Sequence, residues 1–523
     1  MKAGGPLIIF VAVMASLLEI IDTSIVNVAL PTMMGNLGAT LEDISMVVTG
    51  YAIANAIVLP VSAWLSERIG RRKYYLGCIL AFTLVSVACG LAPNLFTLIL
   101  FRIVQGAVGG ALLPTSQAMI YEQFPREKAG IAGAIFGMSV MIGPTLGPVL
   151  GGYLTDEFGW RSIFNINLPL GLLCFMVGFG VIFDRKDEEE TGIPANKPKP
   201  ELDAIGLGLL IAGIGCLQYM LERGESDDWF SSTAITINAI VAAVCLPTFV
   251  WWELRVKNPI INVRLFKNQI IANGVTLMAL LGFFLYSVVF ILPVFLTRTY
   301  HYTATQTGAF FIPGSLITAL LMPFIGQAMS RGVNPKILIF LGLASVEICL
   351  FMMTFFSPMS PKDEILRMLY VRGIAMAFLF VPINSSILSQ FKGATLGQVS
   401  GLMNLFRQIG GSVGIAMVGT LLTMRGQQNF LNLASHVSLL NPATQAAYYQ
   451  GLAGMGAKMT ESLGMATAHD VVIKSLYGRV QAQAFMLSFI QLVWIVMIVF
   501  AFSFVPLYFL RLKEKPTGPI DAH

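Results

Sequence analysis

Residues 6–31 read PLIIFVAVMASLLEIIDTSIVNVALP, an apolar run bounded by Pro6 and Pro31 and interrupted by two acids, Glu19 and Asp22. At ~1.5 Å per residue a helix of this length crosses the ~30 Å hydrocarbon core of a bilayer. A carboxylate at mid-membrane costs at least ~2.5 kcal/mol even on lenient insertion scales, so such a helix must turn both acids toward protein or a water-filled cavity. Three residues apart, they share a face. A carboxyl kept from bulk water beside a second one exchanges its proton closer to neutrality than a solvated one does, which equips the pair for proton-coupled transport. The structural alternative is a hydrogen bond to a neighbouring helix, a role that suits Glu19 better than Asp22.

The rest of the chain is of the same character. Of 523 residues 56% are hydrophobic and only 12% charged, with mean hydropathy +0.75; a soluble domain carries about 25% charged residues. Runs long enough to span recur about fourteen times, near 7–30, 45–65, 74–92, 95–121, 129–155, 163–183, 203–221, 232–253, 270–297, 304–327, 337–356, 366–390, 397–424 and 484–510. The expected fold class is an all-α integral membrane protein. The formal net charge of +5 reflects loop topology rather than a nucleic-acid partner. No GxxxxGK[ST] run occurs, so ATP hydrolysis is not indicated, and nothing else in the chain suggests an enzyme. The six cysteines (Cys78, Cys89, Cys174, Cys216, Cys245, Cys349) lie in apolar runs without metal-ligand spacing and read as small buried hydrophobes. The four histidines lie in loops or the tail, which leaves intramembrane proton chemistry to carboxylates. The first run is too long for a signal-peptide core and is expected to be retained.

Placing the N-terminus in the cytoplasm puts most of the 33 Lys and Arg on that side, among them Arg68, Arg71, Arg72, Lys73, Arg126, Lys128, Arg255, Lys257, Arg264 and Lys267. That bias predicts both termini inside. An internal repeat is visible at a nearly constant offset: Ala63 and Arg68 match Gly326 and Arg331, Arg102 and Pro114 match Arg372 and Pro382, and Gly143 and Gly147 match Gly410 and Gly414. The predicted organisation is a six-helix bundle over 1–183, a charged, proline-bearing cytoplasmic linker over 184–202, and two inserted spans over 203–253. A second bundle follows over 270–510, containing a long outward loop at 426–483, and then a tail over 511–523. Repeats of this kind set the substrate site at their interface near the midplane. The Ala, Gln and Met content of the outward loop favours short helices over disorder.

Three motifs carry more specific chemistry. AWLSERIGRRK (63–73) places Glu67, Arg68 and Arg71 around Gly70, a combination able to latch helix ends by ion pairs across a tight turn; a purely topogenic basic loop is the alternative. LILFRIVQGAVGGALLP buries Arg102, whose guanidinium demands an anion, and the first-span acids are the candidates. GMSVMIGPTLGPVLGGYL sets Gly143, Gly147 and Gly151 every fourth residue, with Pro144 and Pro148 between them and Gly152 beyond. That small-residue stripe on a proline-bent helix suits the interface between two rocking bundles.

GPTLGPVLGG resembles the antiporter motif of the major facilitator superfamily, AWLSERIGRRK its second-to-third-helix loop motif, and RIVQGAVGGA its fourth-helix motif. IDTSIVNVALP, GWRSIFNINLPLG (159–171), LERGESDDWF (221–230) and RQIGGSVG (407–414) are similar to the fourteen-helix drug:proton antiporter branch, and the long outward loop to its EmrB-type members. Ala63 stands where the loop motif usually has glycine, and Glu67 where it usually has aspartate. The resemblance implies two six-helix bundles plus two inserted helices, in an exporter of the bacterial inner membrane that exchanges protons for amphipathic drugs or toxic compounds. It implies no cofactor beyond the coupling proton. It further implies a periplasmic membrane-fusion adaptor of EmrA type, contacting the 426–483 loop, and an outer-membrane channel. Asp22 takes the family's first-helix acid and Arg102 its fourth-helix arginine.

Glu347, in the eleventh run, reads equally as a second titrating site or as a helix–helix hydrogen bond. Arg407 is expected near the cleft and Arg372 as a structural counterpart of Arg102. Asn27, Asn55, Gln105, Gln117, Asn384, Asn404 and Gln408 are the candidate substrate-lining residues, since a few polar groups in an apolar cavity fix orientation. The alternatives to multidrug export are a dedicated exporter of one metabolite, such as a fatty acid or siderophore, and a non-transporting membrane sensor.

Overall fold

The computed structural model describes residues 5–182, 203–438, 441–454 and 465–510. The expected linker at 184–202 and tail at 511–523 lie outside the described residues. Within them the chain is helical and holds 14 helices long and apolar enough to cross a membrane. The first is Gly5–Leu37, the second Leu41–Ile69 and the third Arg71–Gly90; the fourth is in two pieces, Leu95–Gly109 and Leu112–Glu122. Ala129–Phe158 is the fifth, and Ser162–Asn165 with Asn167–Val181 the sixth. Ala204–Arg223 and Thr233–Glu253 are the inserted seventh and eighth. Gln269–Tyr300, Ala304–Ser330, Pro335–Met353, Lys362–Leu388, Gly393–Ser435 and Met465–Ala501 form the ninth to fourteenth.

Local chemistry sets several ends. Thr40 accepts from the Asp43 amide at 3.1 Å and Asn94 from the Thr97 amide at 2.9 Å, each satisfying a first-turn N–H. The second helix stops at Gly70, whose φ of +97° lets the chain reverse directly into Arg71. There the Arg71 guanidinium donates to Glu122 at 2.5 Å and ties the third span to the end of the fourth. A side chain at Gly70 would have to adopt a left-handed backbone, costing about 1–2 kcal/mol. Gly70→Ala should therefore lower stability by that amount in a denaturation assay in detergent, and no loss would show that the turn relaxes freely.

The repeat is visible in the packing. The first span lies on the fifth as the ninth lies on the thirteenth, the second on the fourth as the tenth on the twelfth, and the third on the sixth as the eleventh on the fourteenth. Contacts between the two bundles obey the same symmetry: second on thirteenth answers tenth on fifth, and fourth on thirteenth answers twelfth on fifth. The inserted pair touches both bundles. Arg223 donates to the Glu42 carbonyl (3.0 Å) and Ser45 (2.8 Å) of the second span, while the Trp229 indole donates to Thr420 of the thirteenth (2.8 Å).

The stripe of Gly143, Gly147 and Gly151 corrects one expectation. It faces the first span rather than the second bundle: added Cβ atoms would strike Ile20, Ser24 and Ile25 respectively. The fifth span instead meets the other bundle through Gly130, opposed to the Gly326 backbone, Gly133, opposed to Ser385, and Gly137, opposed to Met322 and Phe380. Gly152 is buried, Pro144 is exposed, and Pro148 lies against Gly308 of the tenth span.

In the 426–483 region the described residues are mostly helical, with a break at 436–438. The thirteenth helix runs on to Ser435, a separate helix spans Pro442–Gly454, and the fourteenth begins at Met465. Asn429 donates to Ser488 at 2.9 Å, and Phe430 meets Tyr477 edge-on, so the two prolonged helices lie side by side.

Candidate functional site

The fourth span is pressed against the second. A Cβ on Gly106 would collide with the Tyr51 backbone, and one on Gly110 would come 2.7 Å from the Asn55 carbonyl oxygen. This close approach leads into the break after Gly109. The second piece starts at Leu112 with Pro114 in its first turn, where a missing N–H costs nothing. The early amides of a helix lack partners within it, and the Leu113 amide finds one in Glu19, donating to Oε2 at 3.0 Å. Asn55 donates to Glu19 Oε1 at 2.8 Å. Glu19 thus sits at a helix N-terminus, where the aligned peptide dipoles favour a negative charge.

Asp22 lies on the same face of the first span and is fully buried. Arg102 donates to its Oδ2 at 2.6 Å, while Gln105 (2.9 Å) and Asn167 (2.8 Å) donate to Oδ1. The guanidinium is 1% exposed. It also donates to Gln105 Oε1 (2.7 Å) and the Val47 carbonyl (3.3 Å), and lies 4.2 Å from the centre of the Tyr51 ring. Asn167 is held in turn by Ser86 at 2.9 Å. Every one of these partners belongs to the first six spans, so the pair is sealed inside one bundle and not placed in the crevice between the two. Asn167, Ser86 and Tyr51 were not singled out from sequence; Asn167 is the second asparagine of the NINLPLG segment, and that segment was the available signal.

The interface between bundles has its own polar layer. Gln117 donates to Asn384 Oδ1 at 2.7 Å and accepts from Ser400 (2.5 Å) and Asn404 (2.8 Å). Gln408 donates to the Ala52 carbonyl at 3.1 Å, and Arg407 to Asn404 Oδ1 at 3.2 Å. Of the seven residues proposed to line the substrate site, Gln117, Asn384, Asn404 and Gln408 meet across this seam. Asn55 and Gln105 serve Glu19 and Asp22 instead. Asn27 is exposed, with its amide turned back to the Thr23 carbonyl at 3.2 Å, and stands apart from both groups. Ser400 was missed because a lone serine in an apolar helix gives no pattern.

Residues 12–415 match the family model of the Major Facilitator Superfamily. The chain belongs to that superfamily. Among its relatives, this facilitator is 34% identical over 452 residues to the multidrug export protein EmrB of Escherichia coli K12, covering 86% of each chain. It is 32% identical over 426 residues to the fatty acid resistance protein FarB of Neisseria gonorrhoeae, covering 81% of this chain and 82% of the other. Its fold is similar to that of the human organic anion transporter MFSD10, with a TM-score of 0.60 at 13% identity, covering 82% of this chain and 96% of that one. The proton:xylose symporter XylE gives a TM-score of 0.56 at 17% identity, covering 82% and 90%.

The remaining candidates of the facilitator are scattered. Arg68 stacks over Trp64 at 5.3 Å and shares the end of the second helix with Glu67. Glu347 is partly buried, with Oε1 lacking a hydrogen-bond partner, and lies on the eleventh span, away from Asp22. Arg372 is buried with its Nε unpaired and its guanidinium 5.5 Å from the Phe311 ring. Among the described residues it forms no counterpart of the Arg102 ion pair. No cluster of three or more His, Cys, Asp or Glu able to hold a metal occurs among the described residues.

Proposed function

We propose that this facilitator is a proton-coupled antiporter that exports amphipathic drugs and other toxic compounds by alternating access across the bacterial inner membrane. The observation that carries this reading is the pair of buried first-span acids, one paired with the buried Arg102 and one held at a helix N-terminus beside the bundle interface. Buried charges of this kind in a spanning helix mark ion pathways. The names of the EmrB relatives support multidrug export as the transport class. Asp22, Glu19 and Arg102 are assigned to proton coupling, with Glu347 as a secondary titrating site. The polar seam of Gln117, Asn384, Asn404 and Gln408 is assigned to substrate orientation, and the coupling proton is the only cofactor-like species required. By the positive-inside bias the end bearing Arg68 to Lys73 is cytoplasmic, as are both termini. The helices of the 426–483 region then project into the periplasm, where we assign contact with an EmrA-type adaptor and, through it, an outer-membrane channel.

In inverted vesicles with an acidified lumen, adding tetraphenylphosphonium should release luminal protons through the wild type, and the Glu19→Gln/Asp22→Asn double variant should release none. Uptake by the wild type without proton movement, or proton release persisting in the double variant, overturns the reading. A second reading, export dedicated to a fatty acid, is favoured by the FarB relative alone; release by laurate but by no member of a panel of lipophilic cations selects it.

A further inference from the structure

The two acids of the first span differ in what holds them. Asp22 is bound by a permanently charged guanidinium that is itself buried, so protonating Asp22 would strand Arg102 without an anion. Glu19 accepts only from neutral donors, the Asn55 amide and the Leu113 N–H. It can take a proton without breaking a direct ion pair, because a turn of the Asn55 amide offers its oxygen to the new O–H.

Glu19 is also the acid that reaches the second bundle. The residues beside its two donors are those the thirteenth span touches: Ser400 donates to the Pro114 carbonyl at 3.1 Å, next to Leu113, and Gln408 donates to the Ala52 carbonyl, one turn from Asn55. Arg407 lies between these two contacts on the thirteenth span and donates to Asn404 in the same seam. Its guanidinium has no carboxylate within ion-pair distance among the described residues, and its Nε is unpaired. The other titratable or charged groups that act on Glu19 or feel its field are Asp22 on its own helix, Tyr51 on the second span and Tyr75 on the third. On the fourth span Arg102 is already committed to Asp22. The mid-membrane stretches of the fifth, sixth and ninth spans packed around this region carry no charged side chain.

We propose that Glu19 is the proton-accepting residue that sets the contact between bundles: ionised, it attracts Arg407 and holds the thirteenth span on the second and fourth, and protonated, it releases them. Asp22 with Arg102 is a fixed strut that keeps the first, second and fourth spans in register. This rests on the proton-coupled reading above and divides the labour within it.

Spin labels at Lys73→Cys and Lys392→Cys, exposed positions on the two bundles at the end where Gly130 meets Gly326, report the separation by double electron–electron resonance. The full-length protein in nanodiscs should lengthen this distance with one titration step as pH falls from 9 to 5. Glu19→Gln and Arg407→Gln should each hold the long distance at every pH, while Arg407→Lys, which keeps the charge, should restore the shift. A merely structural role for either residue would lower thermal stability without flattening the pH profile. If Glu19→Gln retains the wild-type shift, or loses it no more than Asp22→Asn does, the proposal falls while proton coupling stands. If the wild type shows no shift and no proton release, the proton-coupled reading itself fails.

Discussion

Replacing Arg102 by Met should destabilise the protein by about 3–5 kcal/mol, the scale of breaking a buried ion pair from one side. The loss has a definite origin. Asp22 has no exposed surface, and without the guanidinium it keeps only the Gln105 and Asn167 amides, two neutral donors for a full negative charge. The same substitution frees the Val47 carbonyl and removes the cation lying over Tyr51. Adding Asp22→Asn should recover most of the loss, since an amide at position 22 still accepts from Gln105 and Asn167 and no longer needs a counter-charge. Unfolding midpoints of the single and double variants in detergent decide the matter. A double variant no more stable than Arg102→Met alone would mean the pair is not the energetic unit the geometry describes.

Gly130→Leu should block transport for a different reason. Gly130 and Gly326 meet backbone to backbone where the fifth span crosses the tenth, so a side chain on either enters the carbonyl of the other. The cost falls on the arrangement in which this end is shut, and not on the interior of either bundle. Overpacking of about 1–3 kcal/mol moves the balance between arrangements by up to about two powers of ten. The expected result is a folded protein with a near-normal unfolding midpoint, little drug-driven proton release, and a long label distance between positions 73 and 392 at all pH. Wild-type transport by Gly130→Leu would show that this crossing never closes tightly during the cycle.

The spans were legible because length and hydropathy decide them, and the repeat because its landmarks recur at one offset. The placement of Asp22 opposite Arg102 was legible for a similar reason: a guanidinium in an apolar helix has few anions to choose from. Other features were hidden for identifiable reasons. The second ligand of Glu19 is the amide of Leu113, a main-chain group that no side-chain pattern reveals, and it is free only because the fourth helix breaks. The glycine stripe of the fifth span showed that something packs closely there but not what. A second small-residue run, AGIAGAIFG from Ala129, is centred about a fifth of a turn round the helix at 3.6 residues per turn, and that is the run that meets the other bundle. Polarity alone places Asn27 with the substrate-lining residues, and polarity cannot say which way a side chain points along a helix as uniformly apolar as the first.

The thirteenth helix is 43 residues long and carries no proline, which makes it a rod of about 65 Å against a hydrocarbon core of about 30 Å. Arg407 sits within its buried stretch, Leu396 to Leu422, and Ser435 at its far tip. A continuous rod behaves as a lever: a few degrees of tilt at the buried fulcrum sweeps the tip through a proportionally larger arc, and the companion helix alongside it swings too. Whatever is docked at the tip feels each turnover as a mechanical stroke, and a load placed there pushes back on the fulcrum.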